Sequence, residues 1–362
     1  MFITSFHPGG TERQMTELVR RLDRRRFDVK VACFHREGAW LPRVEEAASV
    51  TAFPIRGFAR PGTVTQAAAF ARWCRRHRIR LVQSCDLYAN VFALPAAALA
   101  GVPVRIGSRR ELNPDKTGAQ IALQRHAYRF ADAIVANSSA ARAQLEREGV
   151  APGRVHVIPN GVTVERFTPV AGVRPIRTIL TVANLRKEKA HDILIRAAAL
   201  LAPSHPQLSF VVAGDGPRGA ELRAMAAQFG LGERMRFLGH VEDVPALLGS
   251  ANAFVLPSIS EAFPNAAIEA MASGLPVIAS AVGGLLDLVD HGRTGLLVPP
   301  SDPAALAAAI ASLEADPARA ARLGAAARED VAHRYSFDRM VRSFEDLYLH
   351  HLGPSASQPC AA

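Results

Sequence analysis

Two glutamates, Glu261 and Glu269, stand eight positions apart in the stretch "SISEAFPNAAIEAMASGLP", Ser258 to Pro276. Glu261 falls on a loop after the apolar run "FVLPS". Pro264 suits the first turn of a helix, where its missing N–H costs nothing. Asn265 and Glu269 are four apart and stack on one helical face, while Ile268 and Met271 point into the core. Both carboxylates can then face one cleft, with the free N–H groups near residues 263–265 between them. Carboxylates accept from hydroxyls and amides donate to oxygens, so the set suits a polyhydroxyl ligand. A plainer account competes: Glu261 merely favours the helix N-terminus, and Glu269 lies at the surface.

Three other loops invite a ligand. "HPGGTER", His7 to Arg13, leads from a strand into a helix. Gly9 and Gly10 let the backbone approach closely, and the helix start presents N–H groups, which together favour a phosphate. "NLRKEK", Asn184 to Lys189, follows the first strand of the second half. Lys189 at the mouth of a parallel sheet could neutralise a diphosphate leaving group, although a solvated basic loop explains the spacing equally well. "SAVGGLLDLVDHGRTGLLV", Ser280 to Val298, adds a second Gly-Gly loop at the same kind of edge. "GDGPRG" fits G-x-G-x-x-G literally, but the next strand ends in Leu-Gly-His, with no acid to hold a ribose. It also falls in the second βα unit of its half, so a tight Gly-Pro turn is preferred to a dinucleotide site.

The elements that must position these residues alternate. Strands are expected at Met1–Ser5, "FDVKVACF", "IRLVQS", "VPVRIGS", "ADAIVANS" and Val155–Val162, with helices over Thr11–Leu22 and Thr63–His77 among them. The second half alternates again: strands "IRTILTVANL", "LSFVVAG", "RMRFLG", "AFVLPS", "PVIAS" and "GLLVP", with helices His191–Leu201, Ala220–Phe229, Val244–Gly249, Pro303–Ala315 and Phe337–His350. Such alternation argues for parallel sheets covered on both faces, and two similar halves for a ligand cleft between them.

Composition narrows the class. At 362 residues two domains are the natural division. No apolar run approaches the roughly 18 residues that span a bilayer, and the first residues lack a signal-peptide pattern, so cytosolic residence is expected. Cys33, Cys74, Cys85 and Cys360 show no metal or redox spacing. Residues 1–170 hold 26 Lys+Arg against 14 Asp+Glu, whereas residues 171–362 hold 17 against 19. The excess positive charge therefore lies in the first half and suits an anionic surface or partner. Nucleic acid is disfavoured, because stacking aromatics are not interleaved with the basic residues.

The ordered set "GGTER", "NSSAARAQL", "VIPNGV", "VANLRKEKAHDILIRA", "VVAGDGP", "FLG", "PSISEAFPNAAIEAMASGLPVIAS", "VGG" and "GRTGLLV" resembles the retaining nucleotide-sugar glycosyltransferases of family 4, the group 1 enzymes of GT-B fold, over nearly the whole chain. The resemblance implies an α/β chain with two Rossmann-like parallel-sheet domains facing each other across a cleft. The expected parts are an acceptor-side domain at 1–168, a nucleotide-sugar-binding domain at 169–335, a helix crossing back to the first domain at 336–350, and a disordered tail at 351–362. It implies catalytic roles for Glu261 and Lys189. It implies donor contacts from Gly9, Gly10, Asn184, Arg186, Val241, Phe263, Pro264, Asn265 and Glu269, with Glu269 on the ribose hydroxyls and Val241 meeting the base through its backbone. No metal and no cofactor is expected; a UDP- or GDP-sugar is the donor substrate, and transfer retains anomeric configuration. The acceptor is a hydroxyl of a glycan or lipid-linked glycan. The segments "RGFARPG" and "RWCRRHRIR" suggest a peripheral site on an anionic membrane surface.

The chain departs from the family pattern in places. Asn184 stands where arginine is common, with Arg186 as the candidate replacement, and Ala190 where glycine is common. "GSRREL", Ser108 to Leu112 after Gly107, stands where a histidine is common, so no first-domain catalytic residue is assigned. The first strand begins only a few residues before Gly9, which suggests a late start codon or a shortened strand. An inactive partner subunit of the same fold is the alternative reading, and a sugar-nucleotide epimerase a lesser one.

Overall fold

The computed structural model describes residues 1–58, 60–112, 116–170 and 172–353. The expected tail falls, from residue 354 onward, outside the described residues, and Cys360 with it. The chain divides into two compact units. One comprises Met1–Gly161 together with the chain from Phe337 onward; the other is Val162–Ser336. The division precedes the expected 168 because Val162, Val164 and Phe167 are buried in the second unit's core.

Among the described residues the first unit holds seven parallel strands: β1 (Phe2–Ile3), β2 (Lys30–Cys33), β3 (Ser49–Ala52), β4 (Leu81–Gln83), β5 (Val104–Arg109), β6 (Ala133–Ala136) and β7 (Val155–Val157). They pair in the orders β1-β2-β3 and β4-β5-β6-β7. A bridge between Phe2 and Ser84, with the Cys85 N–H donating to the Phe2 carbonyl at 3.1 Å, joins the two sets. β1 is shorter than the expected Met1–Ser5. Thr4 leaves the ladder because its N–H and hydroxyl both donate to Asp86, at 3.0 and 2.7 Å. Asp86 in turn caps the helix Leu87–Leu99 by accepting from the Ala89 N–H. β7 is also shorter than expected: Ile158 donates one more bond to Ala136, and Pro159 then has no N–H to give. Cys33, Cys74 and Cys85 are buried, and burial pushes the first two thiols up to about 11 and about 12. They are packing residues.

The closing helix runs Phe337–Leu352, two residues past the expected His350 and into the expected tail. Its buried side Phe337, Met340, Val341, Phe344, Leu347 and Tyr348 shares a core with Met15, Leu18 and Val19 of the helix Gly10–Arg21. Arg21 pairs with Asp338 at 3.0 Å, and Glu345 accepts from the Asp23 N–H at 2.9 Å. This helix therefore belongs to the first unit although it is encoded after the second.

The second unit holds β8 (Thr178–Val182), β9 (Ser209–Ala213), β10 (Met235–Gly239), β11 (Ala253–Leu256), β12 (Val277–Ser280) and β13 (Leu296–Val298), in the order β10-β9-β8-β11-β12-β13. All pairs are parallel. The strand order reverses between β8 and β11, the switch point at which open α/β sheets bind ligands outside their carboxyl ends. β11 and β12 are buried throughout, as strands covered on both faces must be. A helix over Pro317–Arg334 was not foreseen in the sequence. Asp316 caps it through the Arg319 N–H at 2.8 Å, and the Asp-Pro pair that starts it repeats the pair that starts Pro303–Ala315. Its Gly324 lies against the Gly274 carbonyl, where any Cβ would overlap.

The "GDGPRG" glycines have a packing role. Gly214 and Gly216 have positive φ, 138° and 159°, and a Cβ on either would meet the backbone of Ala183 or Leu185. The Leu185 N–H donates to the Asp215 carbonyl at 2.9 Å, and the Arg218 N–H to the Leu185 carbonyl at 3.1 Å. This turn therefore buttresses the loop after β8, as the preferred reading of a tight turn expects. Gly214→Ala is expected to cost on the order of 2–3 kcal/mol, read as a lowered Tm in thermal unfolding.

Candidate functional site

The loops at the carboxyl ends of β8 and β11 meet through one ion pair. Lys189 Nζ donates to Glu261 Oε1 at 2.6 Å, and the Ser258 hydroxyl donates to the same oxygen at 2.7 Å. The Glu261 side chain is only 7% exposed and that of Lys189 22%. A backbone bond from the Ile259 N–H to the Glu188 carbonyl, 2.9 Å, ties the loops together beside the pair. Glu261 is thus a buried carboxylate held by a lysine and a hydroxyl, not a surface residue. The Lys189 ammonium has three donors, and one goes to Glu261, so the others can point to a ligand. Ser258 was within the singled-out stretch but unassigned. Its place directly after an apolar strand was the available signal.

A second loop locks Glu261 from behind. The Gly284 N–H donates to the Glu261 carbonyl at 2.9 Å. A Cβ on Gly284 would overlap the Ala262 carbonyl, and Gly283 has φ 52°. The "VGG" pair therefore serves close backbone approach to the Glu261 loop.

The helix after this loop starts at Asn265 and ends at Ala272; Pro264 precedes it as the N-cap rather than occupying its first turn. Pro264 has extended geometry, φ −84° and ψ 111°, and no side chain caps the helix start. The Pro264 side chain therefore supplies none of the hydrogen bonds that the first N–H groups of a helix require. Phe263, 6% exposed, packs on Tyr335 with ring centroids 5.4 Å apart. Glu269 is buried at 7% exposure, which excludes the surface account. Asn184 and Arg186 are exposed on the β8 loop, joined by a backbone bond of 2.8 Å. Val241 is half-buried just after β10. The second-unit candidates thus follow β8, β10 and β11, with Lys189 and Glu261 in direct contact.

Ala190, flagged as a common glycine position, has φ 47° and ψ 42°, a left-handed conformation that explains the preference. It leads into His191, which is fully buried with both ring nitrogens unpartnered. Burial first, then the charges of Lys189 and Arg218, push its pKa down to about 4. The folded pKa lies below that of the unfolded chain, so the unfolded state binds the proton more readily. Stability from this residue is complete above about pH 6.5 and falls as pH drops toward 4, by up to about 3 kcal/mol. His191→Leu is expected to flatten the stability profile between pH 6.5 and 4 in denaturant titrations. A double-mutant cycle of Lys189→Met and Glu261→Gln is expected to give a coupling energy of about 1–3 kcal/mol.

In the first unit, Gly9 and Gly10 stand exposed at the start of the helix Gly10–Arg21, with no side-chain hydrogen bond from the Gly9 cap. The Glu12 side chain folds back over Gly9, where a Cβ would collide with it. Burial raises the Glu12 carboxyl above its usual range. That carboxylate at the expected phosphate position was not foreseen. Arg109 and Arg110 follow different courses. Arg109 is buried and bonds Glu148 at 2.7 and 3.3 Å, Gln124 at 2.8 Å and the Glu111 carbonyl at 2.9 Å. Arg110 donates to Asn160. Among the described residues, no group of three or more His, Cys, Asp or Glu could hold a metal ion, and no helix is long and apolar enough to cross a membrane.

A doubly wound sheet whose switch point carries a lysine–carboxylate pair, preceded by a second parallel-sheet unit, has the architecture of a GT-B transferase. Known proteins agree. Residues 174–330 match the family described as Glycosyl transferases group 1, and residues 8–166 match Glycosyltransferase Family 4. The chain is 31% identical over 373 residues to a D-inositol 3-phosphate glycosyltransferase of Streptomyces scabiei (strain 87.22), covering 91% of this chain and 83% of that protein. It is 34% identical over 228 residues to a glycogen synthase of Mycobacterium tuberculosis, covering 61% of this chain and 55% of that one. The solved structure of Anabaena HepE in complex with UDP and glucose superposes with a TM-score of 0.84 at 23% identity, over 96% of this chain and 98% of that one. The chain belongs to the group 1, family 4 glycosyltransferases, and its fold is GT-B.

Proposed function

We propose that this glycosyltransferase moves a hexosyl group from a UDP-sugar to a hydroxyl of a glycan, lipid-linked glycan or polyol acceptor, with retention of configuration. The observation that carries the reading is the Lys189–Glu261 pair at the β8/β11 switch point. HepE was solved with UDP and with UDP-glucose, which supports uridine over guanosine as the base. GDP-sugars are the competing donors.

Chemically, the departing nucleoside diphosphate develops negative charge that the protein must neutralise. Glu261 holds the Lys189 ammonium in place, and Lys189 meets the diphosphate with its remaining donors. Glu261 is in this account a catalytic residue beside the donor sugar, and its engagement by Lys189 and Ser258 argues against a nucleophile's role. The N–H groups starting the helix Asn265–Ala272, with Phe263, Pro264 and Asn265 around them, contact sugar hydroxyls. Glu269 accepts from the ribose hydroxyls. Asn184 and Arg186 flank the phosphates, and Val241 meets the base. Gly9 and Gly10 are the first unit's candidates for the diphosphate, with Glu12 displaced when it binds. The excess of Lys and Arg in residues 1–170 supports peripheral attachment to an anionic membrane that presents a lipid-linked acceptor.

Lys189→Ala is expected to lower kcat by about 10²–10³, and Glu269→Gln to raise the donor Kd by about 10–100-fold with a smaller effect on kcat. Calorimetry with UDP-glucose and turnover of labelled UDP-sugars measure both, and NMR of the product anomer tests retention. Donor binding without hydrolysis or transfer to any acceptor would instead favour the inactive partner subunit.

A further inference from the structure

The carboxyl ends of β5 and β6 carry two buried polar atoms, Arg110 Nη1 and Asn137 Oδ1, that no hydrogen bond among the described residues accounts for. Arg110 directly follows β5 and Asn137 directly follows β6. They are neighbours: the Asn137 side-chain amide donates to the Arg110 carbonyl at 3.3 Å, and the Asn137 N–H to the Arg109 carbonyl at 3.3 Å. Asn137 is 2% exposed, yet its Oδ1 has no partner. Arg110 spends Nη2 on Asn160, itself 4% exposed, while its Nη1 is enclosed and unpartnered. A buried polar atom left unpaired costs about 1–3 kcal/mol.

Arg109 makes the contrast. Its guanidinium is satisfied by Glu148, Gln124 and the Glu111 carbonyl, so it is a structural cation. Among the described residues, no carboxylate is bonded to Arg110. Glu12 and Cys85 are the acidic groups near enough to act on it, and burial holds its pKa down to about 10. The side chain as a whole is only half-buried, which leaves a route by which a ligand reaches it. A planar guanidinium with spare donors, beside an amide that can face a hydroxyl, matches an anionic oxygen on a polyhydroxyl molecule.

We infer that Arg110, with Asn137 and Asn160, forms a subsite in the first unit for an acceptor bearing an anionic group, a phosphate or a carboxylate. This rests on the transferase reading above, and it names the acceptor's chemistry. The sugar hydroxyls beside the anionic group would be met by the Asn137 side chain.

Binding of glucose 6-phosphate, glucuronate and glucose is to be compared by calorimetry, with and without saturating UDP, on the wild type, Arg110→Gln and Arg110→Lys. Circular dichroism and Tm establish that each variant folds. The wild type is expected to bind one or both anionic probes at least about tenfold more tightly than glucose. Preference for the phosphate alone marks a phosphorylated acceptor, and preference for glucuronate alone a uronate. Arg110→Gln should abolish the preference, Arg110→Lys should keep part of it, and UDP affinity should stay within about twofold in both. The proposal is overturned if the wild type does not prefer anionic probes, or if Arg110→Gln keeps the preference. It is equally overturned if Arg110→Gln loses UDP affinity by the same factor, which would make Arg110 a donor-phosphate residue. Failure of the wild type to bind UDP would strike the transferase reading instead, and the probe series without UDP would still decide the subsite.

Discussion

A buried carboxylate needs a partner, and in the second unit Glu261 finds it in Lys189. Much of the site is arranged around that requirement. The loop after β8 must carry Lys189 to the loop after β11, so the two are stitched by the Ile259–Glu188 backbone bond. The β8 loop is braced by the Gly214–Gly216 turn, whose glycines permit backbone contact at Ala183 and Leu185. The β11 loop is braced by Gly283 and Gly284. Four glycines in two separate motifs thus serve one ion pair.

The first unit solves a different problem. Its sheet edge carries polar side chains that bond largely to one another. Asp86 absorbs Thr4 and a helix start, and Gln83 donates to Ser108 at 2.6 Å while Ser84 donates to Asn90 at 2.6 Å. Arg109 is neutralised inside the protein. Arg110, one residue later, is bonded to no carboxylate among the described residues, and Glu12 turns back over Gly9.

Much of this was legible in the sequence. The eight-residue spacing of Glu261 and Glu269 and the paired glycines placed the second-unit loops, because parallel sheets display ligands at their carboxyl ends whatever the side chains do. The tight-turn reading of "GDGPRG" matches the packing of Gly214 and Gly216 against the backbone of Ala183 and Leu185. Three things were not legible. The helix Pro317–Arg334 is Ala- and Arg-rich with little contrast between faces, and only its Asp-Pro start announced it. Pro264 ended as a cap because its ψ is extended, which residue type alone does not fix. The divergence of Arg109 and Arg110 depends on Glu148, 39 positions away, and no local pattern encodes that pairing.

The central claim is that the second unit's loops at residues 184–190 and 258–269 form one nucleotide-sugar site organised by Lys189 and Glu261. Hydrogen–deuterium exchange with and without UDP-glucose tests it most directly. The account predicts added protection at 184–190, 258–269 and 283–285, absent in Lys189→Ala. Protection elsewhere with none in these segments, or equal protection in that variant, would contradict it.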